Sequence, residues 1–279
     1  MAKRKSKSSG KTMAQTADKF DLYQQSVQTP DHEVEFFEQA YREAYKRKPY
    51  VLREDFCGTF AVCCEWVATS PRRTAHGVDL CSETLRWGRE HNLSKLKPKQ
   101  QSRVTVLEQD VRENQTPPAD VLAAQNFSFW LFKTRQEVVD YFQIARSNLN
   151  AQGILVMDMM GGGDCYTEEL TDKRTIKKGK KGFAYHWTQE SFNPITADAE
   201  FSISFKFPDG SKLKRAFEYQ WRFWTIPEVR EMLAEAGFRE SHVYWEIEDE
   251  DNPELDGTWH RSGSAVSDPS WICYIVAIK

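Results

Sequence analysis

Apolar residues recur along this chain with a helical period, then a strand period, then a helical one again. Val34, Phe37, Tyr41 and Tyr45 fall at helical spacing within 31–46, and Pro49 ends that stretch. Residues 50–53 read as a short strand, and the apolar run 60–68 as a buried helix stopped before Pro71. Strands are predicted at 75–80, 104–108, 120–124 and 154–159. Ser82 is the expected N-cap of the helix after the second strand. Thr134 with Glu137 forms a capping box ahead of Val138, Phe142, Ala145 and Leu149. Thr225 with Glu228 forms another, and Gly237 supplies the C-terminal cap. Residues 242–247 and 271–278 are the last strands, predicted to pair antiparallel because no helix separates them.

Between 161 and 224 the period is two. Phe183, Tyr185 and Trp187 alternate with polar residues, as do Phe201, Ile203, Phe205 and Phe207, and then Leu213, Phe217, Tyr219, Trp221 and Phe223. Pro208-Asp209-Gly210 is a turn signal between the last two runs. The basic stretch 173–181 reads as a mobile loop and 248–256 as an acidic one. The fold class is therefore α/β, doubly wound, with a mostly parallel sheet whose last strand is antiparallel, plus an inserted antiparallel β lid at 161–224.

Composition narrows the choice. The chain has 279 residues, 40 % hydrophobic and 28 % charged, enough for one large domain or two small ones. Lys3, Arg4, Lys5, Lys7 and Lys11 make 1–17 a basic tail without acid, predicted to be disordered. The net charge of −3 thus hides a more acidic body at 18–279, which argues against a nucleic-acid surface. Residues 18–49 form the expected helical cap of that domain. The six cysteines show no CxxC and no attendant His cluster, so neither zinc nor any other metal is expected. A reducing, cytoplasmic setting is expected, with no membrane span.

In an open parallel sheet, ligands bind beyond the carboxyl ends of the strands. That singles out Cys57-Gly58-Thr59, Asp79, Asp110, Asn126 and Asp158. Gly58 permits close backbone approach. Asp79 follows it by about 20 residues, the separation at which an acid holds a ribose. GxGxxG and GxxxxGK[ST] are both absent, which demotes dinucleotide dehydrogenases and excludes P-loop NTPases.

Together, Cys57-Gly58-Thr59, Gly77-Val78-Asp79-Leu80, Gln109-Asp110-Val111, Gly153-Ile154-Leu155 and the run from Thr225 to Phe238 resemble the class I S-adenosylmethionine (SAM)-dependent methyltransferases, over about 50–160 and 225–279. The resemblance implies a seven-stranded sheet with a reversed last strand and SAM as cofactor. It implies that the backbone of Cys57, Gly58 and Thr59 approaches the methionine part of SAM. Asp79, with Leu80 beside it, would hold the ribose hydroxyls, Asp110 the adenine amine next to Val111, and Asn126 would lie near the sulfonium. Phe56 and Phe60 stand where the family usually has glycines, and its strand-end acid is displaced to Glu54 or Asp55. Arg53 offers a guanidinium fork for the ligand carboxylate or for a surface acid. Tyr23, in a leading segment like those that close over SAM, is a cofactor contact or a packing anchor.

The resulting expectation is a methyltransferase acting on a small-molecule acceptor, with the aromatic lid face bordering the cleft. Tyr185 is the expected substrate contact, and His186, on the opposite face of its strand, the alternative general base. Rival readings are a methyltransferase of protein or tRNA, a non-catalytic SAM-binding protein, and a nucleotide-dependent oxidoreductase.

Overall fold

The computed structural model describes residues 10–113, 116–177, 179, 182–246 and 258–279. They divide into two compact units. The larger comprises Thr29–Thr167, Asn193–Asp198 and the chain from Trp221 onward. Its sheet contains β1 (Val51–Asp55), β2 (Thr74–Asp79), β3 (Val104–Glu108), β4 (Ala119–Ala124), β5 (Leu149–Gly161), β10 (Glu240–Glu246), β11 (Trp259–Ser262) and β12 (Trp271–Ile278). The order is β11-β10-β12-β5-β4-β1-β2-β3. The block from β5 to β3 pairs in parallel, whereas β12 runs antiparallel to both β5 and β10. Chain order reverses between β1 and β4, which makes their carboxyl ends the ligand-binding crevice of such a sheet.

The elements form where the apolar pattern places them. All six residues of β4 are buried, as a central strand covered on both faces requires. Helix α3 (Pro30–Tyr45) starts with proline in its first turn and buries Val34, Phe37, Ala40 and Tyr41. Helix α4 (Ala61–Ala68) is apolar almost all round and buried accordingly. Both expected capping boxes form, on α7 (Arg135–Ser147) and α8 (Ile226–Glu235). Gly237 takes φ 92° just past α8. The expected cap of α5 (Ser82–His91) is corrected: Cys81 holds the N-cap position, and Ser82 is the first helical residue. The sheet has eight strands rather than seven, because β11 adds to the edge at β10. Ile247 and the acidic stretch 248–256 lie outside the described residues.

The smaller unit comprises the described residues up to Gln28, with Glu168–Phe192 and Ala199–Gln220. Its sheet orders β6 (Thr171–Ile176), β7 (Phe183–Asn193), β8 (Asp198–Lys206) and β9 (Lys212–Arg222) in sequence, antiparallel as expected. The first part of the stretch read as a basic loop is thus a strand. In β6, Lys173 pairs with His186 and Arg174 with Tyr185, and exposed charges suit a strand at an open edge.

One face of this sheet is apolar and covered from within the unit. Phe183, Tyr185, Ile203, Phe205 and Phe207 pack with Leu22, and with Tyr23 and Val27, of α2 (Lys19–Val27). Helix α1 (Met13–Thr16) extends the cover: Met13 and Ala14 donate backbone N–H groups to Asp209 and Ser211. Residues 13–16 are therefore helical ahead of the expected boundary at residue 17, because these apolar side chains find a surface to bury. Residues 18–49 are likewise not one cap. Helix α2 belongs to this unit and α3 to the larger one.

Candidate functional site

The turn after β1 is where the sequence departs most from a glycine-rich loop. Phe56, Gly58 and Phe60 all adopt left-handed backbone, with φ of 56°, 54° and 46°. Glycine takes that region freely, whereas each phenylalanine does so at a cost of about 1–2 kcal/mol. Packing supplies the compensation. Phe60 is fully buried, and Phe56 lies 5.7 Å from the Tyr141 ring and 6.2 Å from Phe132. Glycines on neighbouring elements admit the loop. A Cβ on Gly88 would stand 2.5 Å from both the Phe60 ring and the Thr59 carbonyl, and one on Gly77 2.9 Å from the Cys57 sulfur. Asn92 donates to the Thr59 carbonyl at 2.9 Å. Cys57 is buried and its thiol lies well above the usual range, so it fills space as a neutral group.

Asp79, at the end of β2, joins this turn to the next. Its Oδ2 accepts the Gly58 N–H and its Oδ1 the Cys81 N–H, both at 2.8 Å. Each carboxylate oxygen can accept twice, so one acceptor position per oxygen remains, which is what two adjacent hydroxyls require. Beside it Leu80 is 67 % exposed, an apolar side chain presented at the same strand end.

Asp110, beyond β3, is held by its neighbour Arg112. Nε and the backbone N–H of Arg112 reach Oδ1 at 2.9 Å, and Nη2 reaches Oδ2 at 2.7 Å. These bonds keep the Asp110 carboxyl below its usual range, so it is a fixed anion with acceptor capacity left on Oδ2. Arg112 carried no signal in the sequence beyond its charge.

Arg53 is corrected as a ligand-carboxylate partner. Its side chain is wholly buried, donating to Asp55 at 2.7 Å, Thr116 at 2.9 Å and the Val111 carbonyl at 2.8 Å. Tyr141 completes the cluster with a 3.1 Å bond to Asp55. The guanidinium ties β1 to the turn carrying Asp110 and Val111, and thereby positions that turn from inside.

After β4, Asn126 and Phe127 are also left-handed, with φ of 57° and 56°. The carboxylate of Asp158 on β5 accepts both of their N–H groups at 2.8 Å and holds the pair in place. Burial pushes Asp158 up to about 6, against those two bonds. Glu54 on β1 accepts the Cys63 N–H at 3.1 Å, and burial pushes it up to about 7. A cavity of about 180 Å³ opens at the end of β5, among Met160, Tyr166, Phe223, Trp224 and Trp271. Larger hollows on the flank of α8 and beside Tyr50 lie away from the carboxyl ends.

The remaining expected residues belong to the smaller unit. Tyr185 is corrected as an open substrate contact: it is 3 % exposed beneath α2, and burial pushes its hydroxyl up to about 12. Tyr23 packs 5.0 Å from the Phe217 ring, as an anchor of the same face. His186, on the other face, is held below its usual range by partial burial and by Lys173, Lys212 and Lys206. Among the described residues no group of three His, Cys, Asp or Glu is arranged to hold a metal ion, and no helix is long and apolar enough to cross a membrane.

No protein-family model and no curated protein sequence matches the chain. Solved structures do. An S-adenosylmethionine-dependent methyltransferase from Clostridium acetobutylicum aligns at a TM-score of 0.66 and 14 % identity, over 93 % of this chain and 96 % of that one. The amino pentose methyltransferase CalS10 from Micromonospora echinaspora gives 0.66 and 16 %, over 93 % and 95 %. The sugar N-methyltransferase KedS8 from Streptoalloteichus gives 0.64 and 16 %, over 100 % and 98 %. At these identities the likeness is one of fold: the chain has the fold of the SAM-dependent methyltransferases.

Proposed function

We propose that this protein is a SAM-dependent methyltransferase whose acceptor is a small molecule. The observation that carries the reading is the Asp79 carboxylate. It is fixed by the Gly58 and Cys81 N–H groups and keeps one acceptor position on each oxygen for a ribose diol. Asp110, immobilised by Arg112, suits the adenine amine, and exposed Leu80 suits the purine face. With ribose at β2 and adenine at β3, the methionine part spans the ends of β1 and β4, where the chain order reverses. The left-handed turns at Phe56–Phe60 and Asn126–Phe127 border that span. Phe56 and Phe60 keep the backbone that glycine would take, which argues against a decayed, merely structural turn.

The cofactor supplies a methyl group already activated on a sulfonium. The protein's own task is then to hold and orient, the source of most of the rate in such a displacement. The aromatic lining of the cavity after β5 suits a small cationic group such as an amine. The relatives described as sugar and amino pentose methyltransferases support the same acceptor class. Calorimetric titration with SAM, S-adenosylhomocysteine (SAH) and NAD tests the reading. Binding of the first two but not NAD is expected, and preference for NAD would replace methyl transfer by hydride transfer. Label transfer from methyl-tritiated SAM to a panel of aminosugars and other small amines tests the acceptor. Transfer only to protein or tRNA would overturn it.

A further inference from the structure

Besides Asp55, which Arg53 and Tyr141 satisfy, three buried acids lie toward the carboxyl ends of the central strands: Glu33 in the first turns of α3, Glu54 on β1 and Asp158 on β5. Two of them are occupied with backbone. Glu54 takes the Cys63 N–H, and Asp158 takes those of Asn126 and Phe127. Glu33 differs. It is 7 % exposed, and its Oε2 is buried with no hydrogen-bond partner.

Its place in the fold follows from its helix. Glu33 shares a helix face with Phe36 and Phe37. The Phe36 ring stacks on Tyr274 at 4.1 Å, and Tyr274 lies directly opposite Asp158 in the β12–β5 register. Glu33 therefore lies within electrostatic reach of Asp158 on β5 and Glu54 on β1, on the side of the sheet ends argued above for the methionine part of SAM.

The charged and titratable groups facing Glu33 are the acids Asp31 on its own helix, Glu54 from β1 and Asp158 from β5, with the Tyr274 hydroxyl from β12. From α4, Cys63 beside Glu54 stays a neutral thiol. Burial first, and these carboxylates second, push Glu33 up to about 8, so it carries a proton at neutral pH. A cation brought to the same place favours its ionised form.

We infer that Glu33 answers the charge of the bound sulfonium, giving up its proton when SAM enters and keeping it when neutral SAH enters. The inference rests on the cofactor reading above. The balance is simple: a neutral carboxylic acid and a sulfonium cation become a carboxylate beside that cation, and one proton goes to solvent. SAH carries an uncharged thioether, so its entry releases none. Glu33 is thus a specificity-determining residue that favours the methyl donor over the spent product, increasingly as pH rises to about 8.

The test is calorimetry on the full chain with SAM and SAH, near pH 7, in two buffers of different ionisation enthalpy. The expected result is close to one proton released per SAM and almost none per SAH. The SAM-to-SAH affinity ratio should rise by up to about tenfold per pH unit between about 6 and 8, the linkage limit for one proton. In Glu33→Gln both the release and the slope should vanish, with both ligands still bound. Equal proton counts for SAM and SAH in the wild type overturn the inference without any variant. Release that survives in folded Glu33→Gln assigns it to another group and overturns it too. Failure of wild type to bind either ligand overturns instead the cofactor reading on which the inference depends.

Discussion

Asp79 and Arg53 are both strand residues with charged side chains, yet they do opposite work. Asp79 is partly open, and its bonds to Gly58 and Cys81 leave acceptor positions facing outward chemistry. Replacing it with alanine should weaken SAM binding by about 1–3 kcal/mol and also loosen the turn. Unchanged affinity by calorimetry in folded Asp79→Ala protein would remove the ribose assignment. Arg53 is closed on all sides, so its loss should be felt in folding first. Arg53→Met leaves Asp55 buried without its cation, at a cost of about 3–5 kcal/mol. Urea denaturation measures this, and a midpoint within error of wild type would show that the network carries no stability.

The α5 helix shows how one element shapes a site on another. Gly88 lies in its interior, where glycine is normally unfavourable, and its missing Cβ is the space taken by Thr59 and Phe60. Gly88→Ala should raise intrinsic helix propensity and still destabilise the protein by about 1–3 kcal/mol through overpacking. It should also weaken SAM binding, because the displaced residues end the turn that Asp79 clamps. A variant more stable than wild type, by thermal melting, would mean that the turn yields without consequence. In the smaller unit, α1 and α2 cover the aromatic face of the sheet. Deleting 1–17 removes the Met13 and Ala14 bonds to Asp209 and Ser211 and exposes part of that face. The expected result is faster proteolysis within 168–220 with SAM binding retained. Loss of SAM binding would place the N-terminal segment in the cofactor site.

Across the whole molecule, the buried acids give stability an unusual pH dependence. Glu33 and Glu54 are raised to about 8 and about 7, so the folded chain holds protons that the unfolded chain has already lost. Their contribution to stability is full below about 4.5 and falls as pH rises through 8. Glu33→Gln should therefore gain stability relative to wild type across that window, by an amount on the order of a few kcal/mol. Guanidinium melts at pH 5 and pH 8 measure the difference. A constant offset between the two proteins would show that Glu33 titrates normally. Carboxylates lowered by cations, such as Asp110 and Glu38, act in the opposite sense and lose their contribution in acid.

Sequence alone determined the strand–helix alternation, the reversed last strand, both capping boxes and the strand-end acids Asp79 and Asp110. These are local facts, set by hydrophobic period, cap chemistry and chain order. Only the tertiary structure decided which charges look outward. Arg53 read as a fork for a ligand carboxylate or a surface acid, and Glu33 carried no signal at all; the burial of Arg53 is settled by Thr116 and Val111, far away in the chain. Tyr185 was legible as part of an aromatic face, but not as part of one closed by the N-terminal helices, with Tyr23 as one of its anchors. The left-handed turns at Phe56, Phe60 and Phe127 were hidden for the same reason. Phenylalanine signals nothing about positive φ, and only its packing partners make that backbone affordable.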